Sequence, residues 1–190
     1  MEESSAMVQT SVSYTAKKAF FSFLGNTFRM YDSKGGLAFY IKQKAFKLKE
    51  DIRVYRDEGQ SDHCLTIKAR SITDFRGAYD ITDSSGAALG GARREGMKSL
   101  FKDSWVIFDA SGEDIGKVQE TGGLMIFIRK FFKFIPQKYE VTIGSQEVGQ
   151  VHQRFNPFQL VYDCTFSGGI DPRHGVGLVV LLLAIEGGRD

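Results

Sequence analysis

The chain repeats one local pattern along its length: an aromatic-led alternation of apolar and polar residues, a tight turn with Asp or Gly, and a second short apolar stretch. The copies are residues 28–35, 79–86 and 105–112, with a shortened copy at 139–146. An alternating apolar pattern that runs into such a turn predicts two antiparallel strands joined as a β-hairpin. We therefore expect stacked hairpins with a turn about every 8–12 positions, which is typical of a sandwich or a barrel.

Strand candidates follow one another along nearly the whole chain, and before residue 171 no long helical pattern interrupts them. They are residues 18–23, 27–31, 37–43 with a continuation at 46–48, 51–56, 63–70, 78–82, 88–94, 105–109, 115–120, 138–143, 147–154 and 159–166. The chain of 190 residues fits one domain, with residues 1–9 as a disordered tail and residues 10–190 as a single folded unit. Cys64 and Cys164 lie in alternating apolar segments, and we interpret them as buried, reduced thiols.

The end of the chain has a different pattern, because residues 176–185 are apolar on every side. Asp171 is a good N-cap and Pro172 a good first helical residue, so we predict a helix that starts there and stops at Gly187. About 15 helical residues span about 22 Å, less than the ~30 Å of a bilayer core, so we expect no transmembrane span. A helix that is apolar all round is then buried in protein. A core strand is the alternative, because several residues here are β-branched.

The strand count and the terminal helix fit one architecture. A barrel of about eight strands is filled by its own side chains, whereas a barrel of about 12 leaves a wide interior. An empty apolar cavity is costly, and the terminal helix is a suitable filling. The sequence therefore predicts a mainly β fold, a closed antiparallel barrel of about 12 strands around a buried C-terminal hydrophobic helix.

A set of short motifs occurs in order across nearly the whole domain. The motifs are YIKQK at 40–44, IRVYRDE at 52–58, LTIKAR at 65–70, GAYD at 77–80, Leu89-Gly90, Arg93-Arg94 with Ser99, Asp103 and Trp105, Ile115-Gly116, and Asp171-Pro172-Arg173. In this ordered set the chain resembles the LURP-one-related family, which shares the tubby C-terminal-like fold with tubby proteins and phospholipid scramblases. The resemblance implies a twelve-stranded barrel around a hydrophobic central helix, in agreement with the barrel predicted from the residues.

The resemblance also bears on function. Tubby relatives bind phosphoinositides and scramblases move lipids with calcium, so the resemblance implies an interaction with anionic lipids. No stretch of the chain matches the calcium loop D-x-[DN]-x-[DN]-G-x5-E, which argues against calcium-triggered scrambling.

The segment from 124 to 139 is the first candidate lipid-binding site. It carries Arg129, Lys130, Lys133 and Lys138 without an acidic residue between them, and phenylalanines are interleaved. On a helix, the apolar side chains would form a stripe opposite most of the cations, which suits an anionic membrane surface. The alternative is a buried strand or a core-covering helix whose Lys and Arg head groups reach water.

A second candidate site is a basic stretch that could form one phosphate-binding face with two further cations; its members are Arg93, Arg94, Lys98 and Lys102, together with Lys68 and Arg70. Guanidinium groups match the geometry of phosphate oxygens, so these side chains could bind a lipid phosphate. The alternative is a solvated strand edge, where lysines discourage edge pairing.

The remaining polar residues show no catalytic or metal-binding pattern. Asp32, Asp83 and Asp109 lie in turns, where Asp normally bonds its own backbone. The three histidines lack zinc-like spacing, and a Cys164–His152 pair has no oxyanion motif nearby. We therefore predict no enzymatic activity, no metal and no cofactor.

Together these features predict a non-enzymatic binding module that recognises anionic membrane lipid headgroups, or a membrane-associated partner, through a basic surface. The N-terminus lacks the pattern of a signal peptide, so we expect a cytoplasmic protein at the membrane periphery. One alternative is a protein-interaction scaffold without a small-molecule ligand. Another is a transcriptional modulator, although a net charge of +2 argues against nucleic acid as a partner.

Overall fold

The computed structural model of the protein describes residues 11–19, 26–43, 51–70, 77–95, 104–123 and 136–185. Within these ranges the chain forms twelve β-strands and one α-helix. The strands are β1 (Val12–Ala19), β2 (Asn26–Asp32), β3 (Leu37–Gln43), β4 (Ile52–Tyr55), β5 (His63–Ala69), β6 (Ala78–Asp83), β7 (Ala88–Arg94), β8 (Ser104–Phe108), β9 (Asp114–Thr121), β10 (Lys138–Ile143), β11 (Gln146–Arg154) and β12 (Gln159–Phe166), and the helix is α1 (Pro172–Ile185).

The strands form one closed antiparallel barrel in which each strand pairs with its neighbours in the sequence. The ring closes where β1 pairs with β12, with Val12 opposite Phe166 and Lys18 opposite Leu160. Closure leaves no unpaired strand edge in the sheet, and such edges favour aggregation. The predicted mainly β fold, a closed barrel of twelve antiparallel strands, is confirmed.

The apolar core lies on the inner face of the barrel. Side chains alternate between the two faces of a strand. In β5, Leu65 and Ile67 are therefore buried, whereas Lys68, the next residue after Ile67, is exposed. The inner positions of the other strands continue this core, which includes Phe28, Trp105 and Tyr139. Full burial of such a side chain stabilises the fold by roughly 1.5–3 kcal/mol.

Helix α1 fills the interior of the barrel. All of its residues from 174 to 184 are buried, so no face of this stretch meets solvent, and it packs against β5, β6, β7 and β12. Gly177 permits a close approach, because a Cβ added there would lie 2.8 Å from Cγ2 of Ile81. The predicted burial of the terminal helix is confirmed. Among the residues described, no helix has the length and hydropathy needed to cross a bilayer.

The first turn of α1 is held by Asp171 and Arg173. Oδ1 of Asp171 accepts a hydrogen bond from the Arg173 amide at 2.8 Å, and the Asp171 carbonyl accepts one from the Gly175 amide at 3.0 Å. This is the geometry of an N-cap, with Pro172 as the first helical residue. The stop predicted at Gly187 lies outside the described residues.

The up-and-down order of the strands sorts the connections between them onto two ends of the barrel. At the helix-entry end lie the turns β2–β3, β4–β5, β6–β7, β8–β9 and β10–β11, together with the start of α1. At the far end β1, β3, β5, β7, β9 and β11 finish, and the strand that follows each of them begins. Residues 94 and 138, which belong to the two predicted sites, are therefore at or near the far end, whereas the side chain of Arg93 reaches Asp114 at the start of β9.

The first strand starts earlier than the sequence predicts. The predicted strand is 18–23, whereas β1 covers Val12–Ala19 and residues 20–23 lie outside the described ranges. Its buried inner positions are Ala16 and Lys18, a small residue and a charged one, so the apolar alternation of this strand is weak. The limits of β1 are set by its pairing with β12, which involves residues about 150 positions away.

Candidate functional site

The turns at the helix-entry end are built around aspartates. Oδ1 of Asp32 accepts hydrogen bonds from the amides of Lys34 and Gly36, at 2.9 and 2.8 Å. Asp83 and Asp109 each repeat this arrangement, with two amide donors at 2.9 and 3.0 Å. The prediction that these carboxylates serve the turns is confirmed.

In two of these turns the hydrogen bonds favour the ionised form of the carboxylate, that of Asp83 and that of Asp109. The Ser85 hydroxyl, followed by turn amides, lowers the pKa of Asp83, and Ser111 does the same for Asp109. Further acidic residues lie in or beside turns at this end, and they are Asp57, Glu58, Asp62, Glu113, Asp114 and Glu147. The helix-entry end is therefore rich in negative charge at neutral pH.

The far end carries an excess of cationic residues. Lys17 and Lys18 lie near the end of β1, Lys138 begins β10, and Arg154 ends β11. The segments 44–50, 96–103 and 124–135, which lie outside the described residues, contain in sequence Lys44, Lys47, Lys49, Lys98, Lys102, Arg129, Lys130 and Lys133, against Glu50 and Asp103. Among the described residues, the aspartate turns lie at the helix-entry end, and Lys17, Lys138 and Arg154 lie near the far end.

Of the four cations in the predicted lipid-binding segment, the structure describes Lys138. Arg129, Lys130 and Lys133 lie outside the described residues. Lys138 is exposed at the start of β10, opposite Thr121 of β9 and His152 of β11. The position of Lys138 puts the end of this segment at the far end, and its lipid contact stays a prediction.

Arg93 and Arg94 are neighbours in β7 and therefore point to opposite sides of the barrel wall. The Arg93 guanidinium forms a two-pronged ion pair with the carboxylate of Asp114. The Arg94 guanidinium lies 5.9 Å from the ring centre of Trp105, which belongs to the buried core. The strand does not bring the two guanidinium groups together in one phosphate site. Their role in binding stays a prediction, and Lys98 and Lys102 lie outside the described residues.

Two exposed phenylalanines at the far end were missed from the sequence. Phe155 is 63% exposed and Phe158 is 82% exposed, both on the connection between β11 and β12. The sequence signal was present, because Asn156-Pro157 is a turn dipeptide between two strand candidates. Apolar residues beside a tight turn at the end of a barrel cannot reach the core, so their exposure could have been predicted.

Comparison with known proteins identifies the family. A family model described as LURP-one-related matches residues 37–183, well over half of the chain. The chain belongs to the LURP-one-related family. The fold is similar to the X-ray structure of a protein from Arabidopsis thaliana, with a TM-score of 0.54 and 14% identity over 92% of this chain and 91% of that chain. No curated protein matches the chain.

This LURP-one-related domain has a small cavity at its helix-entry end, with a volume of about 140 Å³. The cavity is lined by Phe39, Arg56, Asp62, His63, Cys64, Leu65, Asp83, Ser84 and Arg173. Its two cations already face carboxylates, with 3.2 Å between Arg173 and Asp83 and 3.8 Å between Arg56 and Asp62. Because these charges are compensated, the cavity offers little attraction to a charged ligand.

The two thiols of the LURP-one-related domain are not poised for chemistry. Sγ of Cys64 donates to the Val54 carbonyl at 3.2 Å, and burial raises the pKa of this thiol to about 11. Burial raises the pKa of Cys164 as well, and both cysteines are free. A protonated thiol is a poor nucleophile and a poor metal ligand at neutral pH. Across the described ranges, no three His, Cys, Asp or Glu side chains form a group that could hold a metal ion.

His174 is a buried polar side chain in the first turn of α1. It is 3% exposed, and within the described part of the chain its Nε2 atom has no hydrogen-bond partner. Desolvation lowers the pKa of this imidazole, while the Gly91 backbone and the charges of Asp171 and Asp109 act in the opposite direction. The folded domain therefore favours the neutral ring.

We expect the domain to lose stability as the pH falls below about 6.5, the ordinary pKa of histidine. In the unfolded chain His174 has this ordinary pKa, whereas in the folded domain its pKa is lower. Between these two pKa values the unfolded state binds more protons than the folded state, so the free energy of unfolding decreases as the pH decreases. Urea midpoints measured from about pH 7.5 to about 5.5 should fall less in His174→Gln than in the wild type. The aspartates with lowered pKa stay ionised across this window. An equal loss in both proteins would contradict this account.

Proposed function

We propose that this LURP-one-related domain is a non-enzymatic binding module that docks with its far end on anionic membrane lipid headgroups. The observation that carries the proposal is the separation of charge along the barrel. Carboxylates occupy the turns of the helix-entry end, and in the part of the chain that the structure describes the cations Lys17, Lys138 and Arg154 lie near the far end. A protein with this charge distribution is oriented by a negative surface, with the far end towards it.

Two further features support a binding role without catalysis. The barrel interior is filled by α1, so a ligand of any size meets the outer surface or the ends rather than a central pocket. The cavity at the helix-entry end has compensated charges and a thiol with a raised pKa, which suits neither acid–base nor nucleophilic chemistry.

Vesicle co-sedimentation tests the proposal. The wild-type domain should bind vesicles that contain phosphatidylserine or a phosphoinositide, bind neutral phosphatidylcholine vesicles weakly, and lose affinity as salt is added. The double variant Arg129→Glu with Lys133→Glu should bind anionic vesicles at least about tenfold more weakly, because each cation near the surface contributes about 1 kcal/mol and reversal adds repulsion.

A matched control has the same change in net charge at the other end of the barrel. Lys34→Glu with Arg56→Glu alters two exposed cations in turns of the helix-entry end. Its affinity for anionic vesicles should stay within about twofold of the wild-type affinity, because the effect of a changed charge falls off beyond the Debye length of about 10 Å. Equal loss in both double variants, or equal binding of the wild type to neutral vesicles, would refute the far end as the docking surface.

A second candidate function is a protein-interaction scaffold. The exposed Phe155 and Phe158 favour it, since exposed apolar side chains often mark contact surfaces. Sedimentation equilibrium distinguishes the two candidates. A scaffold that self-associates through these residues should change its mass with concentration and lose this behaviour in the variant Phe158→Ser, without any dependence on vesicles.

A further inference from the structure

The connection between β11 and β12 is a short, ordered turn that projects from the far end. Oδ1 of Asn156 accepts hydrogen bonds from the amides of Phe158 and Gln159, at 2.9 and 3.1 Å. Pro157 restricts its own backbone torsion, and strands on both sides are paired up to Arg154 and Gln159. The turn is therefore held in one conformation before it meets any partner.

This turn presents its two aromatic rings to solvent. Phe155 is 63% exposed and Phe158 is 82% exposed, and in the part of the chain that the structure describes these are the large apolar side chains classed as exposed. The other large apolar side chains in the described ranges are buried or partly buried. Removal of both rings from water is favourable, and because the turn is preordered, little conformational entropy is lost when they enter an apolar phase.

Cations flank the strands that carry this turn. Val161 of β12 has Lys17 of β1 as its partner on one side and Arg154 of β11 on the other. Lys138 of β10 lies opposite His152 of β11, two residues before the strand ends. Lys17 is exposed with its ammonium 4.9 Å from the Tyr31 ring centre, and Arg154 is exposed while paired with Asp163 at 2.8 Å. Each of the strands β1, β10 and β11 thus carries a long basic side chain near the end of the barrel from which the turn projects.

We propose that Phe155 and Phe158 insert into the interfacial layer of an anionic bilayer, while Lys17, Lys138 and Arg154 remain at the level of the lipid phosphates. Aromatic rings are stable at the boundary between headgroups and acyl chains, and Lys and Arg extend from that depth to the phosphates. The inference deepens the proposed function and rests on it. It goes further because it adds an apolar contribution from Phe155 and Phe158. Salt does not screen this contribution, whereas it weakens the attraction between the cations and the lipid phosphates.

The positive charge near the far end favours a lipid surface over a protein groove as the partner. The described residues near the far end include Lys17, Lys138 and Arg154 on three strands, whereas a protein groove that accepts two phenylalanines needs a local apolar match. A broad negative surface with an apolar layer beneath it matches both features at once. Self-association through the same rings is kept as an outcome of the test.

The test compares the full-length wild type with Phe155→Ser/Phe158→Ser on vesicles of phosphatidylcholine with phosphatidylserine. At about 0.5 M salt, where the Debye length is only about 4 Å, the wild type should keep measurable binding through its rings. The double serine variant should bind at least about tenfold more weakly at this salt concentration, since each buried ring contributes roughly a tenfold factor. At low salt the difference should be smaller, because the cations are retained.

A second measurement reports insertion directly. The single natural tryptophan, Trp105, is buried at 1% exposure and cannot reach lipid. The indole introduced by Phe158→Trp should shift its emission to shorter wavelength on anionic vesicles and should be quenched by lipids brominated near the top of the acyl chain. Trp105 in the wild type should show neither change, so it serves as the internal control.

Each outcome separates the two proposals. If the wild type binds anionic vesicles but the double serine variant binds equally well and the new indole is not quenched, the insertion proposal is wrong and the proposed function stands. If the wild type does not bind anionic vesicles at all, both proposals are wrong. If the serine substitutions abolish dimer formation and leave vesicle binding unchanged, the turn is a self-association surface, and that result also overturns insertion.

Discussion

The variant Leu181→Asp is expected to leave the domain unfolded at room temperature. Leu181 is 1% exposed in the middle of α1, inside the closed barrel. A carboxylate at this position would lose its hydration without a cation to pair with, which costs several kcal/mol, and the cavity left by the lost side chain adds to this cost. A domain whose total stability is about 5–15 kcal/mol does not tolerate such a loss easily.

Two milder substitutions at the same position provide reference values for the loss of stability. Leu181→Ala should lower the free energy of unfolding by about 3–5 kcal/mol, and the volume-conserving Leu181→Met by less than about 1.5 kcal/mol. Urea unfolding followed by circular dichroism gives the values for Leu181→Ala and Leu181→Met, and the spectrum without urea shows whether Leu181→Asp is folded. If Leu181→Asp is folded and unfolds at the same urea concentration as Leu181→Met, the helix does not form the centre of the core.

Gly90→Ala is the second substitution for which we expect a large loss of stability. Gly90 has a backbone φ of +123°, and an added Cβ would lie 2.6 Å from Cε1 of His174 and still closer to the Phe108 carbonyl oxygen. The strained backbone costs roughly 1–2 kcal/mol, and the overlap with α1 and β8 adds roughly 1–3 kcal/mol or more. The expected total is a loss of about 2–5 kcal/mol in the free energy of unfolding.

The same hairpin supplies a matched control. Gly86 has a φ of +87°, and an added Cβ there meets no heavy atom within 4 Å. Gly86→Ala therefore carries the backbone strain without the steric overlap and should cost about 1–2 kcal/mol. Chemical denaturation of both variants separates the two contributions. Equal losses would mean that the contact between Gly90 and the first turn of α1 contributes nothing to stability.

Local patterns account for the parts of the fold that the sequence predicts. The turns around Asp32, Asp83 and Asp109 are recognisable because each carboxylate bonds to amides two and four residues ahead, entirely within a few positions of the chain. The helix is recognisable because an Asp-Pro start precedes a run that is apolar on all sides. The closed barrel follows from the strand count together with the need to enclose this helix.

The candidate site was predictable in part. The basic character of the 124–139 segment is visible in the sequence, and the structure adds that Lys138 lies at the far end. Because side chains alternate along β7, Arg93 and Arg94 point to opposite sides of the barrel wall. The second candidate site was predicted from the number of basic residues in one stretch of sequence, and this number does not show which side each residue faces. Phe155 and Phe158 lie between the predicted strands 147–154 and 159–166, so their place in a connection was predictable, whereas the extent of their exposure depends on the position of the Asn156-Pro157 turn at the end of the barrel.

By itself the sequence determined the hairpins, the buried terminal helix and the membership of a barrel family, because each of these depends on residues close together in the chain. Tertiary structure decided which strands close the ring, which face of the wall each arginine occupies, and that the acidic turns lie at the end opposite to Lys17, Lys138 and Arg154. It also decided that two phenylalanines lie in solvent beside cations from three strands. These properties depend on strand register and on the alternation of direction between successive strands, and both are set by pairing between residues that are distant in sequence.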